Sequence, residues 1–250
     1  MQQRKYQYLS LAALIILMIL YSLTSFGLMG DNPVGQTASY TDPLIVPAGY
    51  AFSIWGLIYL GLIVFPIYQI FNKKERSPLW QEVHLWYSLN VVLNGLWLVF
   101  ASYDWLWTTV GIIILMLISL IRINDLLNQI ESKGEKINYW AERLVFSLYF
   151  AWITLATALN FSSALTFYEW AGFGISAINW ALIILPVVAL IAGVVFRKYR
   201  DVVYAGVVIW AFIALAVKQI DDYPSIAYLS VGLSVIFLIL ILTGRQKIAK

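Results

Sequence analysis

Eight apolar stretches, each close to the length needed to cross a bilayer, occupy most of this 250-residue chain. A helix needs about 20 apolar residues to span the hydrocarbon layer. Only helices and closed barrels satisfy the backbone in lipid, and the alternating ten-residue segments of a barrel are absent. The sequence therefore predicts an all-α, polytopic membrane helical bundle. Its predicted spans are Leu9–Leu28, Tyr50–Phe71, Val83–Ala101, Leu106–Ile123, Leu144–Ala164, Phe173–Phe196, Val202–Val217 and Ile226–Leu242.

The basic residues lie almost entirely on one side of these spans. Of the 16 lysines and arginines, only Lys218 falls in an outer loop. Loops rich in Lys and Arg stay in the cytoplasm, so both termini are predicted to be cytoplasmic in a multi-pass protein of the cell membrane. The net charge of +3 then indicates contact with the bilayer surface rather than with nucleic acid. The remaining 15 are Arg4, Lys5, Lys73, Lys74, Arg76, Arg122, Lys133, Lys136, Arg143, Arg197, Lys198, Arg200, Arg245, Lys247 and Lys250.

Several classes of chemistry are disfavoured by composition. The chain has no cysteine and one histidine, which argues against disulfides and against a His/Cys metal site, and no cofactor is predicted. No Asp, Glu, Lys or Arg lies well inside a predicted span, as proton pumps and hydrolytic enzymes would require. The chain is therefore predicted not to be an enzyme. His84, at the start of the third span, is predicted to be an interfacial residue.

The loops carry further expectations. The outer loop Met29–Gly49 holds Pro33, Pro43 and Pro47 and is expected to be irregular and to lie over the bundle as a lid. The inner loop Asn124–Glu142 is expected to extend the adjoining helices and otherwise to be a solvated connector. Six tryptophans near span ends are predicted to anchor at the interface: Trp80, Trp86, Trp105, Trp107, Trp140 and Trp170.

Neutral polar and aromatic residues form stripes at helical spacing on three spans. On the predicted orientation, most of them lie in the outer half of the membrane. They are Phe52, Trp55 and Tyr59 on the second span, Asn90, Asn94 and Trp97 on the third, and Tyr149, Trp152, Ala156 and Asn160 on the fifth. Such stripes can line a pocket for a flat ligand, or they can serve as hydrogen bonds and packing between helices. The spacing alone leaves both readings open.

The same residues resemble the motifs of the translocator protein family (TspO/MBR, the tryptophan-rich sensory proteins). The second span has Trp55-Gly56-Leu57-Ile58-Tyr59 after Pro47, and the third has Asn90, Asn94 and Trp97. The fifth span has Tyr149-Phe150-Ala151-Trp152 and Thr157-Ala158-Leu159-Asn160. The similarity covers about residues 5–165.

The resemblance implies a fold and a site. In that family five helices enclose a pocket that binds porphyrins and other hydrophobic ligands, capped by the loop after the first helix. We therefore predict residues 1–165 to be a TspO-like five-helix bundle and residues 166–250 to be three further spans packed on it. The implied ligand-binding residues are Trp55, Tyr59, Asn94, Trp97, Tyr149, Trp152 and Asn160.

Two functions follow as hypotheses. The first is a ligand-binding or sensory membrane protein whose partner is a flat hydrophobic molecule such as a tetrapyrrole. The alternative is a transporter of a small neutral or lipophilic solute, in which four amides, Asn90, Asn94, Asn160 and Asn179, provide a polar path. The sequence leaves open whether the chain forms a homodimer.

Overall fold

The computed structural model describes residues 2–32, 42–72 and 76–245. Within these residues there is no strand, and eight helices are long and apolar enough to cross a membrane. The predicted all-α class and number of spans are thereby confirmed. The helices are α1 (Gln2–Ser25), α2 (Ile54–Phe71), α3 (Leu79–Ser102), α4 (Leu106–Ser132), α5 (Leu144–Phe167), α6 (Ala177–Tyr199), α7 (Val202–Gln219) and α8 (Pro224–Arg245).

The first five helices form a closed ring. Going round it, α1 packs on α3, α3 on α4, α4 on α5, α5 on α2, and α2 on α1. The last three helices pack on one side of this ring, where α7 contacts α5 and α8 packs against both α7 and α6. One continuous apolar core runs through both groups of helices.

Two glycines allow neighbouring helices of the ring to approach closely. A Cβ atom at Gly61 of α2 would lie 2.5 Å from the Val145 side chain of α5. A Cβ atom at Gly95 of α3 would lie 2.7 Å from Leu20 of α1. Without a hydrophobic driving force between helices in lipid, such close contact of small residues supplies much of the packing energy.

Short turns set which helices are antiparallel neighbours. A tight hairpin follows α3, since α3 ends at Ser102 and α4 begins at Leu106. Between α6 and α7, Arg200 takes a left-handed conformation with φ of 53°. Asp201 then caps α7, because its Oδ1 atom accepts hydrogen bonds from the amides of Val203 and Tyr204 at 2.9 and 3.1 Å.

A buried ion cluster closes the end of the bundle that holds the α2–α3 and α4–α5 loops. Arg76 pairs with Glu135 at 2.9 Å and with Glu142, while the Gln69 side chain donates to Glu142 at 2.5 Å. Burial alone would raise the pKa of Glu135, but hydrogen bonds from Arg76, the Ser77 amide and the Trp80 indole hold it below its ordinary value. Glu135 and Glu142 thereby tie the α4–α5 loop to Arg76, while most of the residues from Glu131 to Trp140 are exposed, as expected for a solvated connector.

Two residues that were expected at the interface are buried instead. Trp80 is fully covered, with the Arg76 guanidinium 3.5 Å from its ring centre and its indole donating to Glu135 at 2.8 Å. His84 is also fully covered, and its Nδ1 atom lies 2.9 Å from the Ser10 hydroxyl of α1. Trp140 and Trp105 are exposed, as anchors should be. A residue near a span end can thus face a neighbouring helix as readily as lipid.

The outer loop is described at both ends, and its residues 33–41 lie outside the described part. At the start, the amides of Asp31 and Asn32 donate to the Ser102 carbonyl at the α3–α4 hairpin. At the end, Pro43, Ile45, Val46 and Pro47 are buried against the bundle, as expected for a lid. We call residues 42–48 the lid segment. Helix α7 holds the lid segment by three contacts. The Gln219 side-chain amide donates to the Leu44 carbonyl at 2.7 Å, and the Ala48 backbone amide donates to the Ala214 carbonyl at 3.1 Å. Lys218 also pairs with Asp42.

Candidate functional site

A cavity of about 110 Å³ lies inside the five-helix ring, beneath the lid segment. Helices α2, α3, α4 and α5 each contribute to its wall, and it lies toward the end of the bundle that carries the α3–α4 hairpin. Its surface is mostly apolar, with few polar groups. The residues that line it are Val46, Phe52, Trp55, Trp97, Ala101, Leu106, Thr109, Ile113, Met116, Trp152, Ile153, Ala156, Leu159, Asn160 and Ser163.

Four of the seven predicted ligand-binding residues meet at this cavity: Trp55, Trp97, Trp152 and Asn160. The Trp97 indole of α3 donates to the Asn160 side-chain oxygen of α5 at 2.9 Å. The Asn160 amide in turn donates to the Ala156 carbonyl at 3.0 Å. These bonds hold the Trp97 indole and the Asn160 amide side by side in the cavity wall before any ligand arrives.

The other three predicted residues, Tyr59, Asn94 and Tyr149, form a hydrogen-bonded layer directly beside the cavity. The Tyr59 hydroxyl donates to the Asn94 oxygen at 3.2 Å, and the Asn94 amide donates to the Tyr149 hydroxyl at 2.6 Å. Trp55 joins this layer to the cavity, because its ring stacks on Tyr59 at 5.4 Å and meets Tyr149 edge-on at 5.9 Å. These residues support the cavity wall and are not part of its lining.

Trp152 is the most constrained of the aromatic residues at the cavity. Its side chain is 1% exposed, and its ring meets Phe52 edge-on at 5.5 Å and Trp55 at 6.5 Å. Its indole N–H is buried and has no hydrogen-bond partner among the described residues. A buried donor left without an acceptor costs about 1–3 kcal/mol. A ligand or water that brings an acceptor to this group would recover that free energy.

The comparison with protein families agrees with this architecture. The model of the family described as TSPO-like protein matches residues 7–243. The chain belongs to the TSPO-like protein family. No curated protein and no solved structure matches the sequence. The family match also continues past residue 165 through α6, α7 and most of α8, beyond the part of the chain where the motif resemblance was found.

Part of the site of this TSPO-like protein is not visible in its sequence motifs. Helix α4 forms one wall through Leu106, Thr109, Ile113 and Met116, although the first half of its sequence is largely apolar and shows no polar or aromatic stripe. Thr109 offers no distinctive signal either, since its hydroxyl donates to the Leu106 carbonyl of its own helix at 2.7 Å. Val46 lines the cavity from the lid segment. A loop sequence has no periodicity from which the direction of a side chain could be predicted.

Asn90 has a different role from that of its neighbour Asn94. Its amide donates to the Ser119 hydroxyl at 2.7 Å and to the Met116 carbonyl at 3.1 Å, both on α4. It therefore joins α3 to α4 away from the cavity lining. The spacing left open whether these polar residues bond neighbouring helices or line a pocket. The contacts of Asn90 fit bonding between helices, and the position of Asn160 fits a pocket.

Proposed function

We propose that this TSPO-like protein is an integral membrane binding protein, of receptor or sensory type, for a flat hydrophobic ligand. The observation that carries the proposal is a largely apolar cavity bordered by indole side chains from α2, α3 and α5. Aromatic walls bind flat rings by stacked and edge-on contact, and a small number of fixed polar groups orient them. The Asn160 amide, which the Trp97 indole holds in place, and the unpartnered Trp152 N–H supply such groups here.

Cavity size limits what can bind with the lid segment in place. An engineered apolar cavity of about 150 Å³ holds benzene, so a cavity of about 110 Å³ suits a single aromatic ring. A porphyrin is several times larger. We therefore propose that one-ring ligands enter the closed form, and that a porphyrin binds only after the lid segment moves away from α5 and α7.

The lining favours binding over catalysis. None of the residues that line the cavity, within the described part of the chain, is Asp, Glu, His, Lys or Arg. General acid–base catalysis needs a positioned group that titrates near the working pH. A site made of aromatic and aliphatic side chains with one amide and two hydroxyl groups, those of Thr109 and Ser163, can hold a ligand and orient it.

The transporter alternative has less support. A carrier for a neutral solute needs polar groups that follow one path through the bundle. Asn90 is bonded to α4, and Asn179 is exposed at the start of α6. The four amides therefore do not line a common route.

The test is a titration of the purified protein with acetophenone and with a porphyrin, followed by quenching of tryptophan fluorescence. Ala101, which lines the cavity, provides the blocking variant Ala101→Leu. We expect saturable quenching in the wild-type protein and its loss in Ala101→Leu, because the added side chain fills the space. Ala12→Leu on the exposed face of α1 is the matched control and should titrate like the wild type.

The blocking variant and the control variant together decide whether the ligand binds in the cavity. If Ala101→Leu and Ala12→Leu both quench like the wild-type protein, binding takes place elsewhere and the assignment of the cavity is wrong. If porphyrin alone binds, with acetophenone inert, the closed form is not the ligand-accepting state.

A further inference from the structure

A second, smaller cavity of about 30 Å³ lies on the far side of α5 from the ring interior. Its walls come from the lid segment, from α5, and from α6 and α7, which lie outside the five-helix ring. Ile45, Pro47, Leu185, Val188 and Ala211 are among its lining residues. Almost all of its surface is apolar, so it has little to offer a water molecule and suits hydrocarbon.

Two residues, Trp152 and Leu159, border both this cavity and the larger one. The wall between the cavities is therefore one side chain thick at this point. Trp152 is held by its edge-on contacts with Phe52 and Trp55, whereas Leu159 is only half-buried. The unpartnered N–H of Trp152 belongs to this same wall.

We propose that the smaller cavity is a subsite for a short apolar chain carried by the ligand whose ring occupies the larger cavity. The ligand class is a flat ring joined through a hydrogen-bond acceptor to an unbranched alkyl group. The acceptor bonds the Trp152 N–H, and the alkyl group passes beside Leu159 into the space between α5, α6 and α7. The inference rests on the proposed function, since the ring must first bind in the larger cavity.

The volume of the subsite sets the length of the chain. One water-sized probe occupies about 10–15 Å³ of such a volume, so a cavity of about 30 Å³ takes two or three carbon atoms. Each buried methylene contributes about 0.8 kcal/mol, which corresponds to about a fourfold change in dissociation constant. Affinity should therefore rise over the first two or three carbons and then stop rising or fall.

Alkyl phenyl ketones provide the probes, from acetophenone through butyrophenone to hexanophenone. Dissociation constants are measured by fluorescence quenching for the wild-type protein and for Ala211→Leu, and are referred to the free aqueous ligand concentration. Ala211 is buried on α7 and lines only the smaller cavity, so the variant fills the subsite and leaves the ring site intact. Both samples contain the same detergent, so partitioning of the longer ketones into it affects the two dissociation constants equally.

We expect the two proteins to bind acetophenone alike and Ala211→Leu to bind butyrophenone at least tenfold more weakly. Leu159→Ala, which thins the wall, should strengthen the binding of butyrophenone more than that of acetophenone. Ala158→Leu fills the subsite from α5 and reports the same effect if Ala211→Leu fails to fold. For the acceptor, the ratio of the affinity for butyrophenone to that for butylbenzene should fall by about three- to tenfold from the wild-type protein to Trp152→Phe.

The outcomes separate this inference from the function on which it rests. If every ketone binds with the same dependence on chain length in the wild-type protein and in both filled variants, the subsite does not exist and the ring site stands. If the wild-type protein binds no ketone at all, the proposed function fails and the subsite fails with it. An unchanged ketone preference in Trp152→Phe overturns the acceptor and leaves the alkyl subsite in place.

Discussion

A single arginine joins three segments of this protein at one end of the bundle. The Arg76 side chain, 4% exposed, contacts Glu142, which is 1% exposed, and Glu135, which is less covered. Gln69 of α2 and Trp80 of α3 complete the cluster. Each charge is compensated only while all members are present, since a buried carboxylate without its partner has neither water nor a counter-ion.

We expect Arg76→Gln to destabilise the protein by about 3–5 kcal/mol, because Glu142 is left buried and unpaired. Thermal unfolding in detergent measures the effect. The matched control is Arg122→Gln, since Arg122 pairs with Glu82 at 3.9 Å where both side chains are about half exposed. That pair should contribute no more than about 1 kcal/mol. Equal losses in the two variants would show that the Arg76 cluster is solvated.

Asn94 bonds two tyrosines and does not line the cavity, so its removal should affect stability before binding. Asn94→Ala leaves the Tyr59 and Tyr149 hydroxyls without their common partner. We expect a loss of about 1–2 kcal/mol in unfolding free energy and a change of less than twofold in ligand affinity. Tyr149→Phe removes one of the two bonds and should cost less. A tenfold loss of affinity at unchanged stability would instead make Asn94 a ligand-binding residue.

Spacing along one helix predicted some of these contacts and missed others for a physical reason. Trp97 and Asn160 stand out because an indole and an amide inside lipid both need partners. Trp80 and His84 give no such signal, since a polar aromatic residue at a span end has the same sequence context whether it faces lipid or protein. The partner of Trp80 is Glu135, 55 positions along the chain. Only the folded chain reveals that pairing.

Helix α7 lies outside the five-helix ring, yet it fixes the segment that covers the cavity. Its Gln219 side chain bonds the Leu44 carbonyl, its Ala214 carbonyl accepts from Ala48, and Lys218 pairs with Asp42. Farther along, the Trp210 indole donates to the Ala51 carbonyl at 3.3 Å. The rate at which the lid segment opens should therefore depend on α7, although α7 contributes no residue to the lining of the larger cavity.

We expect Gln219→Ala to accelerate porphyrin binding about fivefold, since one hydrogen bond that holds the lid segment contributes about 1 kcal/mol. Stopped-flow quenching of tryptophan fluorescence measures the rate. Lys218→Ala should have a smaller effect, because its pair with Asp42 is partly exposed. Val217→Ala, on the exposed face of the same helix, is the control. Identical rates in all four proteins would mean that the lid segment does not limit entry.

Hydropathy predicted which segments form membrane-spanning helices, but it did not predict the residues at which those helices begin and end. The second span was predicted to begin at Tyr50, but residues Gly49–Ser53 form a 3-10 turn and α2 begins at Ile54. The fourth was predicted to end at Ile123, and α4 continues to Ser132. Hydropathy detects the part of a helix that crosses lipid. It does not detect helical turns that continue beyond the membrane or that lie under the lid segment. The lid segment itself owes its position to α7, which no local pattern encodes.

The arrangement of all eight helices in the membrane rests on the distribution of charge. The α7–α8 turn, the lid segment and the cavity lie at the end of the bundle with a single lysine, Lys218, and that lysine pairs with Asp42 of the lid segment. The opposite end carries the Arg76 cluster and the other basic residues of the described part of the chain. If basic loops stay inside, the cavity faces outward, and its ligand reaches it from the outer side of the membrane.

The absence of native cysteine makes this orientation directly testable. We expect Asp222→Cys, exposed in the α7–α8 turn, to react with a membrane-impermeant maleimide on intact cells. Lys133→Cys, exposed after α4, should react only once the cells are permeabilised. The cysteine-free wild-type protein gives the background. Labelling of Lys133→Cys alone on intact cells would reverse the bundle and turn the cavity toward the cytoplasm, so that a cytoplasmic ligand would replace an external one.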